Sequence, residues 1–432
     1  MLVFDVLYFL AVLLTLPVSA KFFLKKEYRT ILKHRLSPDI SPSEKKRIWI
    51  HAVSVGEVRS LKNLIKTLNE KYKEKEIVLS VTTPTGFHFA KQQYKNLQVI
   101  NAPIDFSFTI KKFIKTINPE LLILNELEIW PNWILITKRK RIPILLINGR
   151  ISVSAFKRYR RFNFFLKLFF KKIDRFLLQA DIYKERFLQL HIPAEKIKIC
   201  GNIKADEAVK SLELIPPDKD ILRILGINPG SRKSKKIFTL ASSHLSDEKI
   251  VIPIIKEFRS KFLFIIVPRH LNRSAEIEKL LNRHQLDYTI WSRASAAGSC
   301  ESGTPVEMKS GVLIYDRMGY LFHLLKISDV VFMGGTMEQR LGGHNLYEPA
   351  VLGKPVTGGP WYNNFPAIGD ELSRKGIYHT VKNPEELSRF LERFHNPDGI
   401  DIDYIRSEAV RCVSRQMGSL HTTLEEIQQW VT

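Results

Sequence analysis

Only three cysteines occur in the 432 residues: Cys200, Cys300 and Cys412. Widely spaced and odd in number, they exclude a disulfide framework and a CxxC metal site, and they fit a reducing compartment. Neither GxxxxGK[ST] nor GxGxxG is present, which removes the best sequence support for an NTPase or a nicotinamide enzyme. Internal repeats and low-complexity segments are also lacking. Acid is scarce: 44 Asp plus Glu face 67 Lys plus Arg, a net charge of +23. Such an excess asks for an anionic partner, and nucleic acid, anionic lipid and phosphorylated small molecules all qualify. What is present is globular. The length suggests two or three domains at roughly 100 to 200 residues each, and 44% apolar residues with 21 Gly and 21 Pro argue against disorder.

One apolar run stands out, residues 2–24, interrupted by Asp5, Thr15, Pro17, Ser19 and Lys21 and followed by Lys25, Lys26, Arg29, Lys33 and Arg35. Roughly 17 to 22 apolar residues can span or anchor in a bilayer, and the basic cluster behind them favours a cytoplasmic body. A cleaved signal peptide is the rival, because Val18-Ser19-Ala20 resembles a cleavage site; against it, no Lys or Arg precedes the run. Residues 1–24 are therefore expected to form an uncleaved N-terminal membrane-anchor helix, spanning or interfacial.

Behind a Pro/Ser-rich spacer, short apolar runs alternate with amphipathic stretches, the signature of an α/β fold with a parallel sheet covered on both faces. Strands are expected at 48–53, 77–81, 97–100, 121–124, 142–147 and 175–178. The pattern thins from 206 to 236, where Pro216-Pro217 and Pro229-Gly230 suggest a linker. A second alternation follows, with strands at 237–241, 262–267, 311–315, 329–333 and 354–357. The expected organisation is an anchor (1–24), a first Rossmann-like domain (36–208), a linker (209–236), a second Rossmann-like domain (237–405) and a closing C-terminal helical segment (406–432), with both sheets facing a cleft.

The candidate chemistry lies at strand ends. Ser54-Val55-Gly56-Glu57 follows the first strand and precedes a helix, which puts Glu57 in the cleft; a first-turn Glu interacting with the helix dipole is the simpler alternative. Glu126 and Glu128, stiffened by Trp130-Pro131, also follow a strand and suit hydroxyl positioning or proton transfer, or one of them caps a helix. In the second half, Ser242-Ser243-His244 and Arg269-His270 supply hydroxyl, imidazole and guanidinium groups. Arg317-Met318-Gly319 opens an apolar helix, and Gly342-Gly343-His344-Asn345 precedes a helix carrying Glu348. Glycine-rich loop, helix N-terminus and carboxylate together can hold phosphate and ribose hydroxyls.

Between Lys138 and Arg175, 13 Lys or Arg stand against one acid, Asp174, so this stretch carries +12 of the excess. Lys157, Arg158, Arg160 and Arg161 interleave there with Phe162, Phe164 and Phe165. That mixture suits an interfacial helix on anionic lipid; nucleic-acid binding and a solvated helix with a core-facing Phe stripe use the same ingredients. The N-terminal run on the same chain favours lipid.

The sequences HAVSVGE (51–57), ELEIWPN (126–132), NGRISVS (148–154), GNIKAD (201–206), ASSH (241–244), VPRH (267–270) and the Gly-rich 332–360 occur in one order. In that order they resemble the 3-deoxy-D-manno-octulosonic acid (Kdo) transferases of lipopolysaccharide synthesis, over nearly the whole chain. The resemblance implies a GT-B fold and inverting transfer of Kdo from CMP-Kdo to a lipid A precursor (lipid IVA). It places the reaction at the cytoplasmic face of the inner membrane, with no cofactor, no metal and no nucleic-acid partner. By position, Glu57 resembles the family's general base, and Glu126 and Glu128 match its acidic motif. Arg150 and Lys204 become the cations near the donor sugar or its leaving phosphate. Ser243, His244, Arg269, Met318, Gly319, Gly343 and Asn345 resemble the nucleotide surround, and Glu348 the ribose ligand. The chain departs from the family at Tyr320, where a carboxylate is usual, at Leu346-Tyr347, where Pro-Leu is usual, and at Leu271-Asn272, where Pro-Glu is usual. The alternatives are another GT-B enzyme, such as a lipid-linked glycosyltransferase or a nucleotide-sugar epimerase, and a membrane-tethered nucleic-acid-binding protein.

Overall fold

The computed structural model describes residues 4–6, 8–10, 26–227, 235–297, 310–396 and 399–431. They form two compact units, Met1–Glu207 with Gln416–Thr432, and Ala208–Arg415. The first unit holds seven parallel strands: β1 (Arg47–Ala52), β2 (Glu76–Val81), β3 (Gln98–Asn101), β4 (Pro119–Asn125), β5 (Ile144–Gly149), β6 (Arg175–Leu178) and β7 (Ile197–Ile199). Their order is 3-2-1-4-5-6-7, with helices on both faces. β1 sits centrally and is buried along all its length, which is why its sequence reads as an apolar run. Its one imidazole is a core group: His51 Nδ1 lies 3.1 Å from Ser80 Oγ and the ring packs on Trp133. Burial pushes the His51 pKa down to about 3.

The second unit repeats the plan with β8 (Lys236–Ser243), β9 (Phe262–Pro268), β10 (Thr289–Ile290), β11 (Val312–Ile314), β12 (Val330–Met333), β13 (Val356–Gly358) and β14 (Tyr378–Thr380). The order is 10-11-9-8-12-13-14, all parallel. In each sheet the strand order reverses beside the first strand, between β1 and β4 and between β8 and β12. A crevice outside the carboxyl ends of those strands is where open α/β sheets bind ligands.

Two expected segments are built differently. Residues 209–236, expected as a linker, include a helix, Asp218–Ile224, whose Ile221 is buried with Leu225 and Ile227 against β8 and β9 of the second unit. The 406–432 segment is two helices: Ile402–Ser414 belongs to the second unit, and Ser419–Gln428 returns to the first. There Glu426 accepts from Arg175 Nε and Lys198 Nζ, both at 2.9 Å. Asp206 caps that returning helix by accepting from the amides of Gly418 and Leu420 at 2.8 Å.

The 2–24 run lies mostly outside the described residues. Among the described residues no helix is long and apolar enough to cross a membrane, so the anchor helix is not supported here. Phe4–Val6 and Tyr8–Leu10 are helical and dock on the first unit. Asp5 accepts from the Ser107 amide at 2.8 Å and from Asn132 Nδ2 at 3.0 Å. The acid that interrupts the apolar run thus caps the helix Ser107–Ile117, satisfying an end that has no cap of its own.

Candidate active site

In the first unit the two acidic motifs occupy the two strand ends at the reversal, Ser54–Glu57 after β1 and Glu126–Glu128 after β4. Ser54 is the N-cap of the helix Val55–Ser60, in extended conformation, and its Oγ accepts from the Glu57 amide at 3.4 Å. Glu57 replies: Oε2 accepts from the Val53 amide at 2.9 Å, and Oε1 accepts from Ser54 Oγ at 3.2 Å. This is capping-box logic, and it fixes the carboxylate while leaving each oxygen a further lone pair. Burial raises the Glu57 pKa to about 7, helped by the charge of Glu126 and opposed by the Val53 and Ser54 hydrogen bonds.

Glu126 adopts a left-handed backbone, φ 63°, rare for a residue with a side chain. The turn aims its carboxylate at Arg150, which donates from Nε at 2.9 Å. Burial disfavours the guanidinium charge, and Glu126 more than offsets it, so the Arg150 pKa is raised. Glu128 turns aside and accepts from Trp130 Nε1 at 2.9 Å, and burial raises its pKa. The structure therefore groups Glu57, Glu126, Glu128 and Arg150 electrostatically. Lys204 stands in the helix Ile203–Leu212, its amide donating to Asn202 Oδ1 at 3.0 Å.

Sequence reasoning missed the amide chain that holds this edge. Gln179 donates from Nε2 to Asn148 Oδ1 at 2.8 Å, and Asn202 donates from Nδ2 to Gln179 Oε1 at 3.0 Å. Buried amides near the carboxyl ends of β5, β6 and β7 thereby link NGRISVS to GNIKAD. Asn148 and Asn202 lay in quoted motifs, but nothing in the spacing signalled Gln179.

In the second unit the β8 and β12 ends meet through Asp247, whose Oδ2 accepts from the amides of His244 at 2.9 Å and Gly335 at 2.8 Å. His244 and His344 stack at 5.2 Å with Nε2 atoms 3.0 Å apart, a contact that requires one nitrogen to carry the proton. His270 lies edge-on to His244 at 5.9 Å. Burial lowers both stacked imidazoles, His344 to about 3, and the Arg269 charge adds to the effect. Arg269 is exposed, its amide donating to Ser243 O at 3.0 Å. Ser243 is wholly buried, and its Oγ donates to Glu248 at 2.8 Å, which Arg273 grips with two bonds of 2.9 Å. Its hydroxyl thus serves the loop's internal bonding.

Gly343 has φ 76°, and a Cβ there would lie 3.1 Å from Thr336 Cγ2, Trp361 O and Tyr362 Cα. Asn345 Nδ2 donates to Glu348 Oε1 at 3.0 Å, orienting that carboxylate. Met318 is 75% exposed beside Gly319, and Tyr320 stacks between Tyr315 and His323. Among the described residues no group of three His, Cys, Asp or Glu is placed to hold a metal ion.

The middle of the basic stretch forms two helices, Val153–Arg161 and Asn163–Phe170. Phe169 and Phe170 face the core, whereas Phe164 is 83% and Phe165 39% exposed among the exposed cations Lys157, Arg158, Arg160 and Arg161. A wholly core-facing Phe stripe is therefore ruled out.

The 3-deoxy-D-manno-octulosonic-acid transferase family model matches residues 28–207. A 3-deoxy-D-manno-octulosonic acid transferase of Chlamydophila psittaci is 30% identical over 361 residues, 80% of this chain and 79% of that protein. The chain belongs to the Kdo transferase family. A bifunctional glycosyltransferase/methyltransferase of Fusobacterium nucleatum is 34% identical over 88% of the chain, which spans 57% of that relative's length. Among solved structures, a glycosyltransferase from Rickettsia africae superposes with a TM-score of 0.58 at 16% identity, covering 90% of this chain and 99% of that one. A UDP-GlcNAc 2-epimerase from Neisseria meningitidis gives 0.57 at 14%, covering 89% and 100%. At these identities the likeness establishes the fold alone, that of two parallel α/β domains as in GT-B glycosyltransferases, and this member of the Kdo transferase family shares it.

Proposed function

We propose that the protein is an inverting Kdo transferase that moves Kdo from CMP-Kdo to a lipid A precursor, with Glu57 as general base. The acceptor hydroxyl oxygen attacks the Kdo anomeric carbon, the bond from that carbon to the CMP phosphate oxygen breaks, and the hydroxyl proton passes to Glu57. The observation that carries this reading is the Glu57 carboxyl: held at both oxygens, set at the β1 end of the sheet reversal, with a pKa near 7. A base poised at working pH is what efficient proton abstraction asks for.

Arg150 and Lys204 are assigned to the Kdo carboxylate and leaving phosphate, where fixed cations stabilise developing charge. Glu126 and Glu128 position the acceptor or the base. His244, Arg269, the Met318–Gly319 amides and Asn345 are assigned to the nucleotide, with Glu348 on the ribose hydroxyls and Ser243 and Gly343 shaping their loops. The exposed Phe164 and Phe165 among Lys157, Arg158, Arg160 and Arg161 support contact with an anionic membrane. On that support we place the reaction at the cytoplasmic face of the inner membrane.

Glu57→Gln tests the assignment. It should abolish turnover by a factor of roughly 10² to 10⁴, the usual worth of a general base, while CMP binding by calorimetry stays within a few fold. Near-normal transfer by the variant would sink the base assignment.

A further inference from the structure

At the opposite pole of the first sheet, where the strands begin, lies a groove of about 590 Å³ that the transfer chemistry does not use. Its walls carry Lys46, Lys111, Lys115, Arg139 and Lys140, and among the described residues no carboxylate lines it. Its floor is apolar, from Ile114, Ile136 and Ile142. Elsewhere on this surface the cations are paired with acids. Close by, Arg47 pairs with Glu76 at 2.7 Å, Lys75 with Glu120 at 2.7 Å and Lys138 with Asp174 at 2.9 Å. Among the described residues, Lys111, Lys115 and Lys140 enter no ion pair with an acid.

Two details bear on how these charges are placed. Lys111 and Lys115 stand four apart on the helix Ser107–Ile117, a spacing at which like charges repel and weaken the helix unless an anion joins them. Asn118, at the helix end with φ 52°, donates to the carbonyls of Ser43 and Glu44 at 3.2 and 2.9 Å and accepts from Lys46 Nζ at 3.0 Å. The loop before β1 is thereby pinned so that its lysine points at the groove.

We infer that this groove binds a phosphate-bearing group, with the isoleucine floor taking carbon next to the phosphate. Converging ammonium and guanidinium donors suit a multiply charged phosphate. Either a lipid headgroup or a free phosphate compound presents that chemistry. The inference stands on the groove alone and does not rest on the transferase assignment.

The test compares two full-length variants of equal charge: Lys111→Gln/Lys115→Gln/Lys140→Gln in the groove, and Lys62→Gln/Lys249→Gln/Lys279→Gln at scattered exposed positions. Inorganic pyrophosphate is titrated by calorimetry, and phosphatidylcholine vesicles with and without phosphatidylglycerol are used in flotation. The groove variant should lose at least about tenfold in affinity for one probe relative to the scattered variant, whose loss reports net charge alone. Loss confined to pyrophosphate identifies a free phosphate compound, and loss of phosphatidylglycerol-dependent flotation identifies a headgroup. The single change Lys115→Glu, at an exposed position, repeats the comparison with the fold least disturbed. Equal behaviour of the two triple variants with both probes, or no binding of either probe by the wild type, overturns the inference.

Discussion

Glu126→Gln and Arg150→Gln should shift the acid limb of the transfer rate in opposite directions. Burial and then the Glu126 charge raise the Glu57 carboxyl to about 7. A base must be ionised to act, so the wild-type rate should climb about tenfold from pH 6 to pH 8, from about a tenth ionised to about nine-tenths. At ~6 Å, the outer end of the range over which a neighbouring charge shifts a pKa, a unit charge is worth ~0.7 kcal/mol at the dielectric of water and ~2.8 kcal/mol at an effective value of 20. At 1.36 kcal/mol per pH unit, that spans about half a unit to two units. Glu126→Gln removes a repelling charge and also releases Arg150, now 2.9 Å from Glu126, to attract Glu57. Both effects lower the limb. Arg150→Gln removes the attraction and leaves Glu126 unneutralised, so the limb moves up. The assay is initial transfer rate from pH 5 to 9 at saturating donor, for the wild type and both variants. Limbs that coincide, or that move in the reverse order, refute the electrostatic account of Glu57.

Other consequences follow from packing and burial. Gly343→Ala puts a Cβ 3.1 Å from Trp361 O at φ 76°, and a strained left-handed position of this kind costs about 1 to 3 kcal/mol. Melting should fall and CMP titration should weaken together. Arg273→Met leaves the fully buried Glu248 without its two-bonded partner and should cost ~3 to 5 kcal/mol in denaturant melts. Adding Glu248→Met should recover much of that loss. Burial raises Asp105 to about 7, against the pull of the Asn132 and Trp133 amides. The folded state therefore keeps this proton while the unfolded chain has lost it, and stability falls as pH rises from about 4 to about 7. Asp105→Asn should flatten that slope in melts at pH 5 and pH 7.5.

The sheets were legible because parallel strands covered on both faces are apolar along their length, and β1, β2, β4, β6, β8 and β9 read that way. β7, β10 and β14 were not, since edge strands of two or three residues are shorter than any periodicity. The helix Asp218–Ile224 hid behind Pro216-Pro217: proline marked a boundary that opens a helix as readily as a linker. Glu57 was placed at its strand end by Gly56 and the apolar run before it. Its hold on the Val53 amide was not visible, because the Ser54-to-Glu57 spacing fits a plain first-turn carboxylate equally well. Glu126 and Arg150 are 24 residues apart and His244 and His344 a hundred. Only the strand order brings each pair together, and no local pattern records it.

The most direct test of the account is incubation of the purified protein with CMP-Kdo, generated in situ, and tetraacylated lipid A precursor, read by mass spectrometry. The account predicts acceptor mass gains in whole Kdo increments for the wild type and none for Glu57→Gln. An unshifted acceptor with folded wild-type protein, or equal increments from both proteins, would contradict it.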